Sequence, residues 1–254
     1  MRQVQHFFIC GAQRSASTYL SKLLDSHPAI EMAKPIRPEP KVFLSDVASE
    51  LTPELYRHRW HQAASEKTVW FGEKSTSYIE DAKVPERILS VFKNPKFIFV
   101  LRDPIDRAIS NYHFSKMNGY EDANIDTALL REVDSPETNK ITKFENVSVS
   151  PKAYLERGIY VKFLKPYFQQ IPKDNILLLE SQNLTSSQDE KERLFHFLNL
   201  DASDNQFTNS PINVSQKDKD QNISPKTRDI LQAYFRDSNL QLKNTYNFQI
   251  SNWA

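Results

Sequence analysis

Apolar residues in the first half of the chain fall into short unbroken runs. Between the runs they recur every third or fourth position. The first pattern suits a strand covered on both faces, the second a helix with one buried side. Phe7–Cys10 reads as a buried strand. Ser17–Asp25 reads as a helix with Leu20, Leu23 and Leu24 on one face, stopped by His27 and Pro28. Val69–Phe71 predicts a short strand ending at Gly72. Val84–Phe92 predicts a helix burying Ile88, Leu89 and Phe92. Phe97–Leu101 is apolar throughout and predicts a central strand. Asp103 as N-cap and Pro104 in the first turn then open a helix lined by Ile105, Ile109 and Tyr112. Residues 121–150 are polar and read as an irregular excursion. Helical spacing returns over Tyr154–Phe168, with a strand at Asn175–Glu180 and a short helix at Glu190–Leu198. Residues 208–225 read as a polar loop, and a last amphipathic helix covers Thr227–Leu240. Strands alternating with helices predict an α/β fold: a single domain over residues 1–254, with a central, mainly parallel sheet flanked by helices.

Composition narrows the chemistry. The 254 residues carry a formal net charge of +1, so diffuse attraction to nucleic acid or a membrane surface is not expected and any anion site must be local. With one cysteine, Cys10, the chain has no intramolecular disulfide and no cysteine-based zinc site. No apolar run approaches membrane-spanning length and the N-terminus lacks a secretion signal, so a cytoplasmic protein without a membrane segment is expected.

Two segments carry candidate chemistry, each after a predicted strand, where ligands of parallel sheets bind. In the first, Gly11 leads through Gln13, Arg14, Ser15, Ala16, Ser17 and Thr18 into a helix. The backbone N–H groups of such a start favour an anion, and the arginine and hydroxyls add donors. Set against G-x-x-x-x-G-K-[ST], Ala16 replaces the second glycine, Ser17 replaces the lysine and Thr18 keeps the hydroxyl. The charge has moved to Arg14. On its own the loop is equally readable as a capped helix start. In the second, "VLRDPIDRAISNYHF", Arg102 at the strand end and Ser110 two turns into the helix either meet on one anion, or Arg102 pairs with Asp106 and Ser110 is an ordinary surface serine.

As an ordered pair, these segments resemble the 5′-phosphosulfate loop and the 3′-phosphate element of sulfotransferases that use 3′-phosphoadenosine-5′-phosphosulfate (PAPS). The nearest branch is the heparan-sulfate, Golgi-type and bacterial one. "RPEPKVFL" (37–44), "GEKSTSYI" (72–79) and the helix–strand unit at 156–184 extend the likeness over most of residues 7–200. The resemblance implies a P-loop-like sulfotransferase fold. PAPS would be co-substrate, adenosine-3′,5′-bisphosphate the product, and no metal would be required. Gln13–Thr18, Arg102 and Ser110 would bind the nucleotide. Glu39 would act as general base, and Lys74 and Arg14 would flank the leaving oxygen. For Lys74 the alternative is an ion pair with Glu73 or another acid. The acceptor would be a small molecule or glycan offering a hydroxyl or amine, with segments near 45–67 and 118–152 mobile or shaping its site. The chain departs from the family at Ala16, commonly glycine, and at Lys41, where many relatives have histidine. It also lacks the paired cysteines near the C-terminus, and Lys217 and Lys219 are weak counterparts of the family's closing basic loop. A P-loop-type nucleotide kinase and a non-catalytic nucleotide-binding protein are the competing readings. His27 and His113 are the other residues able to serve as base, though each reads more readily as packing or capping.

Overall fold

The computed structural model describes residues 4–46, 50–135, 151–205, 223–250 and 253. In chain order the elements are β1 (Gln5–Gly11), α1 (Ser17–Asp25), β2 (Ile30–Met32), α2 (Pro53–Trp60), β3 (Trp70–Lys74), α3 (Val84–Val91), β4 (Lys96–Leu101), α4 (Pro104–Met117), α5 (Ile125–Asp134), α6 (Tyr160–Gln170), β5 (Ile176–Glu180), α7 (Ser181–Ser186), α8 (Gln188–Phe197) and α9 (Pro225–Tyr246). The chain groups into two compact units, residues 1–101 with 165–210 and residues 102–164 with 211–254.

The first unit holds a five-stranded sheet in the order β2-β3-β1-β4-β5, and every pairing is parallel. β1 is central: Gln5 to Ile9 register with Trp70 to Lys74 of β3, and Phe7 to Ile9 register with Lys96 to Ile98 of β4. Successive side chains of a strand point to opposite faces. Phe7 and Ile9 therefore join Leu20, Leu23 and Leu24 of α1, Ile98 and Val100 of β4, and Leu194 and Phe195 of α8 in one apolar cluster. Phe8 points the other way, into the rings of Phe43, Tyr56, Phe92 and Phe97. With both faces covered, β4 is buried from Phe97 to Leu101, as its uninterrupted apolar run predicts. Gly72 sits inside β3 because a β-carbon there would lie 2.2 Å from Phe7 Cζ and 2.5 Å from Met32 Sδ.

In the second unit α4, α5 and α9 pack around Ile105, Ala108, Leu129, Leu155, Leu231 and Phe235. Asp103 caps α4 by accepting from the N–H of Ile105 (2.8 Å) and of Asp106 (3.0 Å). Glu132 of α5 accepts the backbone N–H groups of Tyr154, Leu155 and Glu156.

Several expectations need correcting. The segment read as irregular contains α5, capped by Asn124 and burying Ala128 and Leu129; its residues 136–150 lie outside the described residues. Ile125, Ala128, Leu129 and Val133 do keep helical spacing, but the polar residues around them hid it. The helix expected from Tyr154 starts at Tyr160, because Glu132 engages the backbone at 154–156 and residues 156–158 form a 3₁₀ turn. β3 continues past Gly72 to Lys74, and Leu89 faces solvent. Strand β2 and helices α2 and α7 were not expected, and α9 is longer than the Thr227–Leu240 reading. Most of the loop read at 208–225 lies outside the described residues.

Two buried imidazoles in the first unit set a pH dependence. His6 packs on Phe92 at 4.3 Å and His61 on Phe71 at 5.1 Å. Burial first, then the Arg57 guanidinium, pushes His6 down to about 3 and His61 down to about 4 from an ordinary value near 6.5. Below pH 6.5 the unfolded chain takes up protons that the folded chain refuses, so this stability is present above pH 6.5 and is lost as the pH falls. Glu132, pushed up to about 6 by burial, works in the opposite direction. The urea midpoint is expected to drop between pH 7 and pH 4.5, and to drop less steeply in His6→Phe. An unchanged slope in that variant would assign the acid limb to other groups.

Candidate active site

β1 ends at Gly11, and the chain turns through residues 12–16 before α1 begins at Ser17. The turn is fastened to the neighbouring strand by the Ala12 N–H donating to Val100 O at 2.8 Å. Arg14 (φ 65°) and Ala16 (φ 64°) both lie in the left-handed region. Ala16 is the N-cap of α1 and offers no side-chain acceptor, so no capping side chain bonds the first N–H groups of this helix. Ser15 and Ser17 are buried, Thr18 is half-buried and Arg14 is exposed. Arg37, which the sequence reading left without a role, reaches this loop: its Nη2 donates to Thr18 Oγ1 at 3.5 Å.

Parallel pairing brings a second strand end alongside. Lys74, the last residue of β3, registers with Ile9 of β1, and the Ser75 N–H donates to Ile9 O at 3.1 Å. Lys74 Nζ lies 2.5 Å from Glu39 Oε1. The Thr76 N–H donates to Glu39 Oε2 at 3.0 Å, and the Thr76 hydroxyl lies 3.1 Å from both carboxylate oxygens. The pair is shielded, with side-chain exposures of 5% for Lys74 and 14% for Glu39. A buried carboxylate and ammonium need such mutual compensation, and removing one partner of a pair like this typically costs about 3–5 kcal/mol. The acid that Lys74 pairs with is thus Glu39. Glu73, its neighbour in sequence, points to the opposite face of the sheet. Asp25 holds the approach to Glu39, accepting from the Met32 N–H at 2.9 Å and forming an ion pair with Lys34.

The second unit carries Arg102 and Ser110. Arg102 immediately follows Leu101, the last residue of β4, and its carbonyl accepts from the Tyr160 hydroxyl at 2.9 Å. Asp106 and Ser110, four residues apart, share one side of α4, and Arg102 lies just before its N-cap Asp103. Arg102 Nη2 is 3.9 Å from Asp106 Oδ2, with the two side chains 36% and 51% exposed. An exposed contact at that distance is worth about 0–1 kcal/mol, so the pairing alternative is realised only loosely. Because Asp103 occupies the N–H groups of Ile105 and Asp106, an anion here would rely on side chains.

His113 packs its ring on Tyr112 at 5.3 Å. His27 is buried; its Nδ1 accepts from the Ala29 N–H at 3.1 Å, so its Nε2 is the donor to Asp201 O, also at 3.1 Å. Lys217 and Lys219 lie outside the described residues. Among the described residues no group of three or more His, Cys, Asp or Glu side chains is placed to hold a metal ion, and no helix is long and apolar enough to cross a membrane.

A left-handed φ costs an L-residue with a β-carbon about 1–2 kcal/mol, whereas glycine loses about 0.5–1 kcal/mol more backbone entropy on folding. Ala16→Gly is therefore expected to raise stability by up to ~1 kcal/mol, read as a higher urea midpoint at unchanged m-value. A lower midpoint would mean that the alanine methyl contributes packing which outweighs the backbone strain.

The family described as "Sulfotransferase domain" matches residues 4–240. Among curated proteins, the membrane-associated sulfotransferase kil1 of Dictyostelium discoideum is 34% identical over 111 residues, which is 43% of this chain and 23% of that protein. Heparan sulfate glucosamine 3-O-sulfotransferase 3B1 of Mus musculus is 26% identical over 207 residues, which is 78% of this chain and 47% of that protein. The chain thus spans about a quarter to a half of the length of these relatives. Among solved structures, a sulfotransferase from Alicyclobacillus acidocaldarius superposes with a TM-score of 0.74 at 18% identity, covering 98% of each chain. A sulfotransferase domain from the curacin biosynthetic pathway gives a TM-score of 0.57 at 13% identity, covering 99% of this chain and all of that one. Likeness at such low identity speaks to the fold.

Proposed function

The chain belongs to the sulfotransferase domain family, and from that premise we propose that it transfers a sulfuryl group from PAPS to a hydroxyl or amine acceptor by in-line displacement. The observation that carries this reading is the shielded Glu39–Lys74 pair, completed by Thr76, at the edge of the sheet where β1 turns into the Gln13–Thr18 loop. A carboxylate able to take the acceptor's proton and an ammonium able to face the departing oxygen, held side by side at 2.5 Å, are two groups such a transfer needs.

In the proposed step the acceptor oxygen or nitrogen attacks sulfur and gives its proton to the Glu39 carboxylate. The bond from sulfur to the bridging oxygen breaks, and adenosine-3′,5′-bisphosphate leaves with the electron pair. Arg14 and Lys74 balance the charge that develops on that oxygen. Arginine offers a planar fork to phosphate oxygens and lysine a compact charge. The loop and the α1 N–H groups would take the 5′-phosphosulfate, and Arg102 with Ser110 would take the 3′-phosphate. Metal-independent transfer is part of the same proposal. The relatives include an enzyme named for heparan sulfate, so a saccharide hydroxyl is the first acceptor class to try.

Glu39→Ala is expected to lower kcat by about 10²–10⁴-fold, while calorimetry finds binding of adenosine-3′,5′-bisphosphate retained. Persistent turnover would refute the base assignment. Arg102→Ala is expected to weaken the bisphosphate far more than 5′-AMP; equal losses would refute the 3′-phosphate assignment. Tighter binding of ATP with Mg²⁺ than of the bisphosphate would favour a kinase instead.

A further inference from the structure

On the face of β3 opposite Lys74, Glu73 is 1% exposed and surrounded by hydroxyls. Ser75 Oγ donates to its Oε1 at 2.5 Å and the Tyr56 hydroxyl donates to its Oε2, and the Tyr78 hydroxyl lies close enough to act on its charge. Two of these hydroxyls also accept from backbone N–H groups, Ser75 Oγ from Lys41 at 2.9 Å and Tyr78 Oη from Phe43 at 3.0 Å. Lys41 and Phe43 belong to the segment that carries Glu39. Lys41 takes a left-handed φ of 53° just before the 3₁₀ turn Val42–Leu44, a conformation that surrounding contacts must hold.

The direction of these bonds explains the choice of residue. A hydroxyl has one proton to give. A carboxylate that accepts it from Ser75 leaves the lone pairs of that oxygen turned to the Lys41 N–H group. A carboxylate accepts on both oxygens, from Ser75 on one and Tyr56 on the other; an amide has one acceptor oxygen and would turn an NH2 group on one of these two hydroxyls, disturbing the set. The end of β3 thus grips one segment twice. Lys74 and Thr76 hold the Glu39 side chain, while Glu73 and Ser75, with Tyr78, hold the backbone that follows it.

We infer that Glu73 is a positioning residue that fixes where the Glu39 carboxylate points by orienting the hydroxyls that anchor Lys41 and Phe43. The inference rests on the reading of Glu39 as the base. It is tested by a double-mutant cycle of Glu73→Gln and Glu39→Ala, measuring kcat at saturating PAPS, bisphosphate affinity by calorimetry and the melting transition. Glu73→Gln alone is expected to lower kcat roughly 10–100-fold, as displacement of a reacting group does, with bisphosphate affinity unchanged. In the Glu39→Ala background it is expected to change the residual rate less than about twofold, because coupled residues are not additive. Equal losses in both backgrounds, or a normal kcat for Glu73→Gln, would overturn the inference. Should Glu73→Gln fail to fold, Ser75→Ala, which keeps the carboxylate and removes one relay, decides: the same pattern at smaller amplitude supports positioning, and wild-type kcat overturns it. The two readings fail separately. Turnover that survives Glu39→Ala removes the base assignment, whereas collapsed turnover in Glu39→Ala combined with an additive effect of Glu73→Gln removes only the positioning role.

Discussion

Parallel pairing of β1 with β3 and β4 is the constraint from which the arrangement of the first unit follows. Strands that run the same way finish at the same edge, so Gly11 and Lys74, some 60 residues apart in sequence, end beside one another. The sheet can carry polar chemistry at that edge because apolar side chains cover most of both faces behind it. Phe7 and Ile9 seal one side, and Phe8 with the rings of Phe43, Tyr56 and Phe92 seals the other. Low solvent access strengthens a charge–charge contact but penalises any charge left alone. Glu39 and Lys74 therefore have to be placed together, and the fold has to hold them so.

The period of two along β3 turns one strand end into two kinds of support. Lys74 reaches the Glu39 carboxylate from one face, while Glu73 faces Tyr56, Ser75 and Tyr78 on the other. Burial raises the Glu73 carboxyl above its ordinary range, and the hydroxyls oppose that rise. The prolines flanking Glu39 limit its backbone further. Ala16 belongs to the same economy of fixed geometry. The turn from β1 into α1 places a left-handed residue at its end, and here an alanine adopts that conformation, which glycine takes without steric cost.

Much of this was legible beforehand, for identifiable reasons. Phe97–Leu101 announced a doubly covered strand because each of its residues is apolar, and Asp103-Pro104 announced a helix start because both residues suit one. α5 was obscured by its polar surroundings. β2, only three residues long, was missed because such a strand leaves almost no periodic signal. Arg37 stood within a quoted motif, yet nothing about an exposed arginine between prolines told which hydroxyl it would reach.

By itself the sequence determined the more strongly patterned strands and helices and the loop that gathers Arg14 with three hydroxyls, while Glu39 and Lys74 stood out only through the family resemblance. Local propensity and residue spacing act over a few positions, and those elements and that loop need no more. Only the tertiary structure decided partners. Glu39 and Lys74 are 35 residues apart, Lys41 and Ser75 are 34 apart, and Phe43 and Tyr78 are 35 apart. Which side chain meets which across such a gap depends on strand register and on the face to which each residue points. A shift of one residue along β3 would have exchanged Lys74 for Glu73.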